Sequence, residues 1–170
     1  MSEPGALVGE RADLLDSLGR SRFFLRNTVR DLTDEQAAQR TTASELCLGG
    51  LIKHVSAVEE RWANFIVEGP SAMARSGDPD EWTNLFRMLE GDTLAGLLDA
   101  YEKVASRTDE IVATLPDLDA SHELPPAPWF PQGRRWSARR VLLHVIAETA
   151  QHAGHADIIR ESLDGAKSMG

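Results

Sequence analysis

The stretch Leu142-Leu-His-Val-Ile-Ala-Glu-Thr-Ala-Gln-His-Ala-Gly-His155 decides how this chain is read. Counted outward from His152 at ~100° per residue, Val141, Val145, Ile159 and Leu163 fall within roughly 20° of it and mark the buried centre of a helix face. To one side stand Glu148 at about 40°, His155 at about 60° and His144 at about 80°. A carboxylate so close to an apolar seam costs free energy unless its charge is compensated. A divalent metal is the obvious compensator. The stretch predicts a long last helix, opened by Ser137 as N-cap and stopped by Gly165, with polar chemistry along one flank.

Three further segments carry helical periodicity. The first runs roughly from Glu10 to Arg30, with Leu14, Leu15, Leu18, Phe23, Leu25 and Val29 as its apolar positions. Thr33-Asp-Glu-Gln36 reads as a capping box that opens a short helical turn. A second box, Thr42-Ala-Ser-Glu45, leads into a helix reaching about Val67. Its core face steps through Cys47, Leu51, His54, Val58 and Phe65, with Val55 and Trp62 alongside. Gly49-Gly50 weakens this helix locally and leaves room for a close neighbour. Asp78-Pro79 marks the start of a short helix through Trp82, Leu85, Phe86 and Leu89, after a loop over Gly69 to Gly77. The third long helix begins after Asp92 and ends before Pro116. Between Pro116 and Trp136 there are five prolines and two tryptophans and no sustained period, so an irregular connection is expected there. Strand-like alternation is scarce throughout. The pattern predicts an all-α protein, a four-helix bundle with short extra helices, as one domain over residues 1–170.

Composition narrows the function. A net charge of −9 argues against a nucleic-acid partner, whose phosphates need a clustered excess of Lys and Arg. No apolar run approaches the ~20 residues of a membrane span, and Met-Ser-Glu-Pro-Gly at the N-terminus has no signal-peptide character. The one cysteine can form no internal disulfide, which fits a reducing cytoplasm.

Glu148 and His152, four residues apart, project side by side from adjacent turns. Two such ligands do not complete a metal site, so a third must come from the core face of another helix. His54 meets that condition. Two imidazoles and one carboxylate suit zinc with a position left open for water or substrate, and equally a non-haem iron centre. For any single histidine a hydrogen-bonded place in the core is the simpler reading, but convergence of three polar groups weakens it. His152 with His155 is the competing pair, ranked second because it leaves Glu148 uncompensated. His144 lies about 12 Å along the axis from His152, and Cys47 ~10.5 Å from His54, each too far to share the metal. His122 sits in the loop without a partner of note. A ferritin-like di-iron centre would need two Glu-x-x-His motifs, and the chain has none.

With these residues in view, the sequence resembles the DinB superfamily of bacterial four-helix-bundle metalloproteins. The resemblance rests on Leu51-Ile-Lys-His54 followed by Val58-Glu-Glu-Arg-Trp62, on Trp136-Ser-Ala-Arg-Arg-Val-Leu-Leu-His144, and on Glu148-Thr-Ala-Gln-His-Ala-Gly-His155 running into Asp157-Ile-Ile-Arg-Glu161 and Asp164-Gly165. It covers nearly the whole chain. It implies a DinB-type bundle with a metal held by a histidine of the second helix and a pair spaced four apart on the last. That pair is His and His in many members, and Glu and His in those related to mycothiol-dependent maleylpyruvate isomerase. By position the implied ligands are His54, Glu148 and His152. His155 stands where many relatives carry Gln.

The resemblance further implies a metal-dependent enzyme of mycothiol-like thiol S-transfer or a related detoxification. Zinc or nickel would be the metal, with iron a third choice, and a low-molecular-weight thiol the cosubstrate. Isomerase activity is not expected, because the isomerase type has an additional C-terminal domain. Arg160 and the cluster Arg134, Arg135, Arg139 and Arg140 are candidates for an anionic part of that cosubstrate, with solvated surface charge as the alternative. A non-catalytic metal-binding or ligand-sensing bundle is the other function class. A homodimer through a bundle face is a further expectation.

Overall fold

Each long helix hides one apolar stripe, and the four stripes close on one another. The computed structural model describes residues 7–74 and 78–168. The elements are α1 (Glu10–Asn27), α2 (Asp34–Ala38), α3 (Leu48–Glu68), a 3-10 turn (Gly69–Met73), α4 (Glu81–Asn84), α5 (Leu94–Thr114), β1 (Ser121–Glu123), β2 (Arg135–Ser137) and α6 (Ala138–Asp164). The long helices α1, α3, α5 and α6 have 18, 21, 21 and 27 residues. α1 packs broadly on α6, α6 on α3 and α3 on α5, whereas the α1–α5 seam is thin. In that ring the α3–α6 seam lies opposite the thin one.

Local chemistry sets most boundaries. The first capping box forms: the Thr33 hydroxyl accepts from the Gln36 amide at 3.2 Å, and the Gln36 side chain accepts from the Thr33 amide at 3.0 Å. The Ser137 hydroxyl accepts from the Arg140 amide at 3.2 Å, and α6 ends on Gly165 at φ 78°, the left-handed region that favours glycine. The second box does not form. α3 starts two residues later than expected, at Leu48, because the Thr42 and Ser44 hydroxyls accept from the Ser44 and Leu46 amides and hold a turn. At Asp78 the side chain accepts from the Asp80 amide at 2.9 Å, and helix begins only at Glu81.

The helix expected through Leu89 is a single turn, Glu81–Asn84. The following backbone lies against α3 instead: a Cβ on Gly50 would stand 2.0 Å from the Phe86 carbonyl oxygen. The glycine pair admits this crossing. The irregular connection contains a small antiparallel ribbon pairing Ser121 with Ser137, His122 with Trp136 and Glu123 with Arg135. Three-residue strands are too short to leave a period in sequence.

The core falls into two apolar clusters. One gathers Leu18, Trp62, Phe65, Val112, Val141 and Val145, the other Leu25, Leu51, Val55, Tyr101, Ala153 and Ile159. Between them in sequence, on all four long helices, lie the buried polar residues Arg22, Glu59, Thr108 and Thr149. Phe23, expected in the core, is 61% exposed, since a turn of ~100° from buried Arg22 carries it out of the stripe. Among the described residues no helix is long and apolar enough to cross a membrane.

Candidate metal centre

α3 and α6 pack against each other and bring His54, Glu148 and His152 together. One donor atom from each lies within 4.8 Å of the others. The His152 Nε2 to Glu148 Oε2 distance is 3.6 Å, close to the separation of about 3.3 Å between two ligands on a tetrahedral zinc. His54 is 2% exposed. Its ring stacks on Phe86 at 3.9 Å and 21°, meets Trp82 edge-on at 5.3 Å, and faces His152 at 4.8 Å. Phe86 reaches that position through the backbone crossing at Gly50.

The electrostatics suit ligation. Burial, helped by His152 and opposed by Glu148, pushes His54 down to a pKa of about 4, so at neutral pH its imidazole is uncharged and offers a bare nitrogen. Its Nδ1 is buried and has no hydrogen-bond partner, a cost that native interiors rarely carry. Glu148 is held below the ordinary carboxyl range, first by His152, against partial burial, with His144 and His54 adding to the effect. A neutral imidazole, a second imidazole and a carboxylate are a donor set for a borderline divalent ion. The residues fit the metal that the resemblance implies.

The remaining histidines separate cleanly. His155 places its Nδ1 3.3 Å from Nδ1 of His152, on the side away from Nε2. His144 stands between Trp62 and Trp136, with ring centroids at 5.0 and 5.2 Å, and burial lowers its pKa. It is a helix-interface group. His122 lies in β1, with Nε2 3.2 Å from the Ile66 carbonyl. Cys47 is buried, its Sγ 3.8 Å from the Phe86 carbonyl, outside the cluster.

The arginines are largely engaged. Arg160 is buried and bonds the Thr28 and Arg30 carbonyls, each at 2.8 Å, and Asp164. It finishes the C-terminal end of α1, so the expectation that it meets a cosubstrate gives way to a structural role. Arg139 pairs with Glu10 and Asp119, and Arg135 with Ser121. Arg140 lies over Trp136 at 4.1 Å. Two clefts follow the α1–α5 seam, lined by Arg26 and Glu102 among others, and neither includes the three clustered residues.

Sequence reasoning missed the walls, Trp82 and Phe86, which it placed only in a short helix. It also missed Glu59. The signal for Glu59 was present, because Val55, Glu59, Trp62 and Ile66 follow seam spacing along α3.

An α-helical bundle with a His–Glu–His cluster between its second and last long helices has the architecture of the DinB-type metalloproteins. A model of the mycothiol-S-transferase family matches residues 13–165, and the chain belongs to that family. No curated protein matches it.

Proposed function

We propose that the chain works as one domain over residues 1–170 and transfers the sulfur of mycothiol to a small electrophile at a divalent metal held by His54, Glu148 and His152. Zinc or nickel is the metal of choice for this donor set, with iron third. When bound, the ion lowers the pKa of a thiol and retains the thiolate. The residues do the rest. His54 enters the site neutral, so binding there displaces no proton from it. Glu148 supplies one negative charge against the incoming cation. Phe86 and Trp82 shield the His54 side from water. In the transfer, sulfur forms a bond to an electrophilic carbon, the thiol proton passes to solvent, and the leaving group departs with its electron pair.

Buried His54, with an unpartnered Nδ1, beside a carboxylate and a second imidazole carries this reading. The cluster contributes three protein donors among the described residues, which leaves a coordination position for substrate and favours an enzyme over a closed structural site. Elemental analysis of untagged protein tests the metal: about one zinc or nickel per chain is expected, lost in Glu148→Gln. Mycothiol with an aryl or alkyl halide then tests the reaction, and metal-loaded protein that forms no thioether would sink it. A cytoplasmic setting and a homodimer belong to the same proposal. Leu143 and Ile158 are exposed on α6, and light scattering of the wild type against Ile158→Asp tests the dimer.

A further inference from the structure

α6 sets His155 one turn beyond His152 and turns the two rings toward each other, Nδ1 to Nδ1, at 3.3 Å. Two imidazole nitrogens at that distance share a hydrogen bond only if one donates and the other accepts. The opposite nitrogen of His152, Nε2, faces Glu148 at 3.6 Å. The two nitrogens of His152 therefore have different surroundings: one lies toward the clustered donors, the other toward His155. A cation binds an imidazole through a bare nitrogen, and a neutral ring has one bare nitrogen and one N–H.

We infer that His155 is the positioning residue of the metal centre: its Nδ1 accepts the hydrogen from Nδ1 of His152, which leaves Nε2 of His152 bare and fixes its ring plane. This rests on the metal reading above and goes beyond it by giving a task to a residue outside the cluster. His155 stands outside the cluster of three donors, so its part is to orient a ligand rather than to be one. The bond is local to α6, so it orients His152 whether or not α3 has delivered His54. Partners of this kind, beyond the ligands themselves, typically contribute 10- to 100-fold in metal affinity.

Competition against a chromophoric chelator measures zinc affinity for the wild type, His155→Ala and His155→Gln, with circular dichroism as the check on folding. His155→Ala is expected to bind about 10- to 100-fold more weakly. His155→Gln, whose side-chain carbonyl can accept the same hydrogen, is expected to recover most of that loss. Long-range proton–nitrogen correlation NMR supplies a readout independent of metal. Glu148 draws a proton to Nε2 of metal-free His152 in both proteins, so the metal-free wild type is expected to hold more of the Nδ1–H tautomer of His152 than His155→Ala does. Unchanged affinity in His155→Ala overturns the inference, as does equal weakness in the Ala and Gln variants. The same tautomer population in the metal-free wild type and in His155→Ala overturns it too. If the wild type binds no zinc, the metal reading fails, while the tautomer measurement still decides whether His155 orients His152.

Discussion

Two of the buried polar groups in this bundle are built in opposite ways. Near the α1–α5 seam, Arg22 spends its whole guanidinium. Nε and Nη2 donate to the two oxygens of Glu59, Nη1 donates to Asp109 at 2.8 Å, and Nη2 also reaches the Ala105 carbonyl. Glu59 is fully buried and both its oxygens are used. Across the molecule, at the α3–α6 seam, His54 is almost as deeply buried and its Nδ1 has no partner. A closed network stabilises the fold it sits in. An open one carries an uncompensated cost until something outside the chain supplies the missing bond. The comparison separates a structural charge pair from a site.

Breaking the closed network should have the largest effect. Glu59→Ala strands the Arg22 charge inside the bundle with only Asp109 left as a carboxylate partner. A destabilisation of about 3–5 kcal/mol is expected, read as a lower midpoint in urea. Metal content of the fraction that remains folded should not change. If Glu59→Ala instead lost the metal at unchanged stability, the two clusters would have been assigned the wrong way round.

The open site should reveal itself through pH. In the unfolded chain His54 takes up its proton at the ordinary histidine value of 6.5; in the folded chain it does so only at about 4. Between those values the unfolded state binds more protons. The stability of metal-free protein therefore falls as pH drops from about 6.5 toward 4, by up to about 3 kcal/mol, and levels off below. Urea unfolding at a series of pH values measures the slope. His54→Leu, which removes the titrating group and fills similar space, should flatten it. A slope that persists in His54→Leu would assign the effect to another group.

How much of this was legible in the sequence follows from the length of the pattern involved. The long helices repeat their stripe over several turns, so Leu14 to Leu25 on α1 and Val141 to Ile159 on α6 were readable, with Phe23 as the exception. The pairing of Glu148 with His152 followed from helix spacing alone, and the core-face position of His54 from the same argument on α3. The walls of the site did not follow. Phe86 is placed by a backbone crossing at Gly50, a contact between residues 36 positions apart that leaves only a glycine as its trace. Glu59 was passed over because its charge outweighed its seam position, and its partner Arg22 lies on a different helix. Asx and hydroxyl turns at Asp78 and Thr42 look like helix caps until the backbone that follows them is seen.

That crossing is itself testable, with a smaller effect. Gly50→Ala would place a Cβ 2.0 Å from the Phe86 carbonyl oxygen and 2.4 Å from its carbon, both backbone atoms that cannot rotate aside. A loss of about 1–3 kcal/mol is expected. The Phe86 ring must shift from the face of His54, so metal affinity should fall along with stability. In the closed cluster nothing should move. Gly154→Ala is the control, since a Cβ there meets nothing within 4 Å. Equal behaviour of the two glycine variants would remove the crossing from the account of the site.

The smallest expected effect sharpens the boundary of the open cluster. Cys47 is the chain's one thiol and caps the start of α3, the helix that carries His54, so it is the natural rival as a metal ligand. It sits two turns before His54 in sequence, about 10.5 Å along the axis. Its sulfur faces the Phe86 carbonyl at 3.8 Å and adds no donor to the three clustered residues. Cys47→Ala removes one buried sulfur from a packed place, which costs about 1 kcal/mol. Zinc or nickel content should stay at the wild-type value, while Glu148→Gln, a change of one atom and one charge, should lose the ion. Denaturant midpoints and elemental analysis of both variants make the comparison. Loss of metal in Cys47→Ala would move the site toward the start of α3 and leave the unpartnered nitrogen of His54 without an explanation.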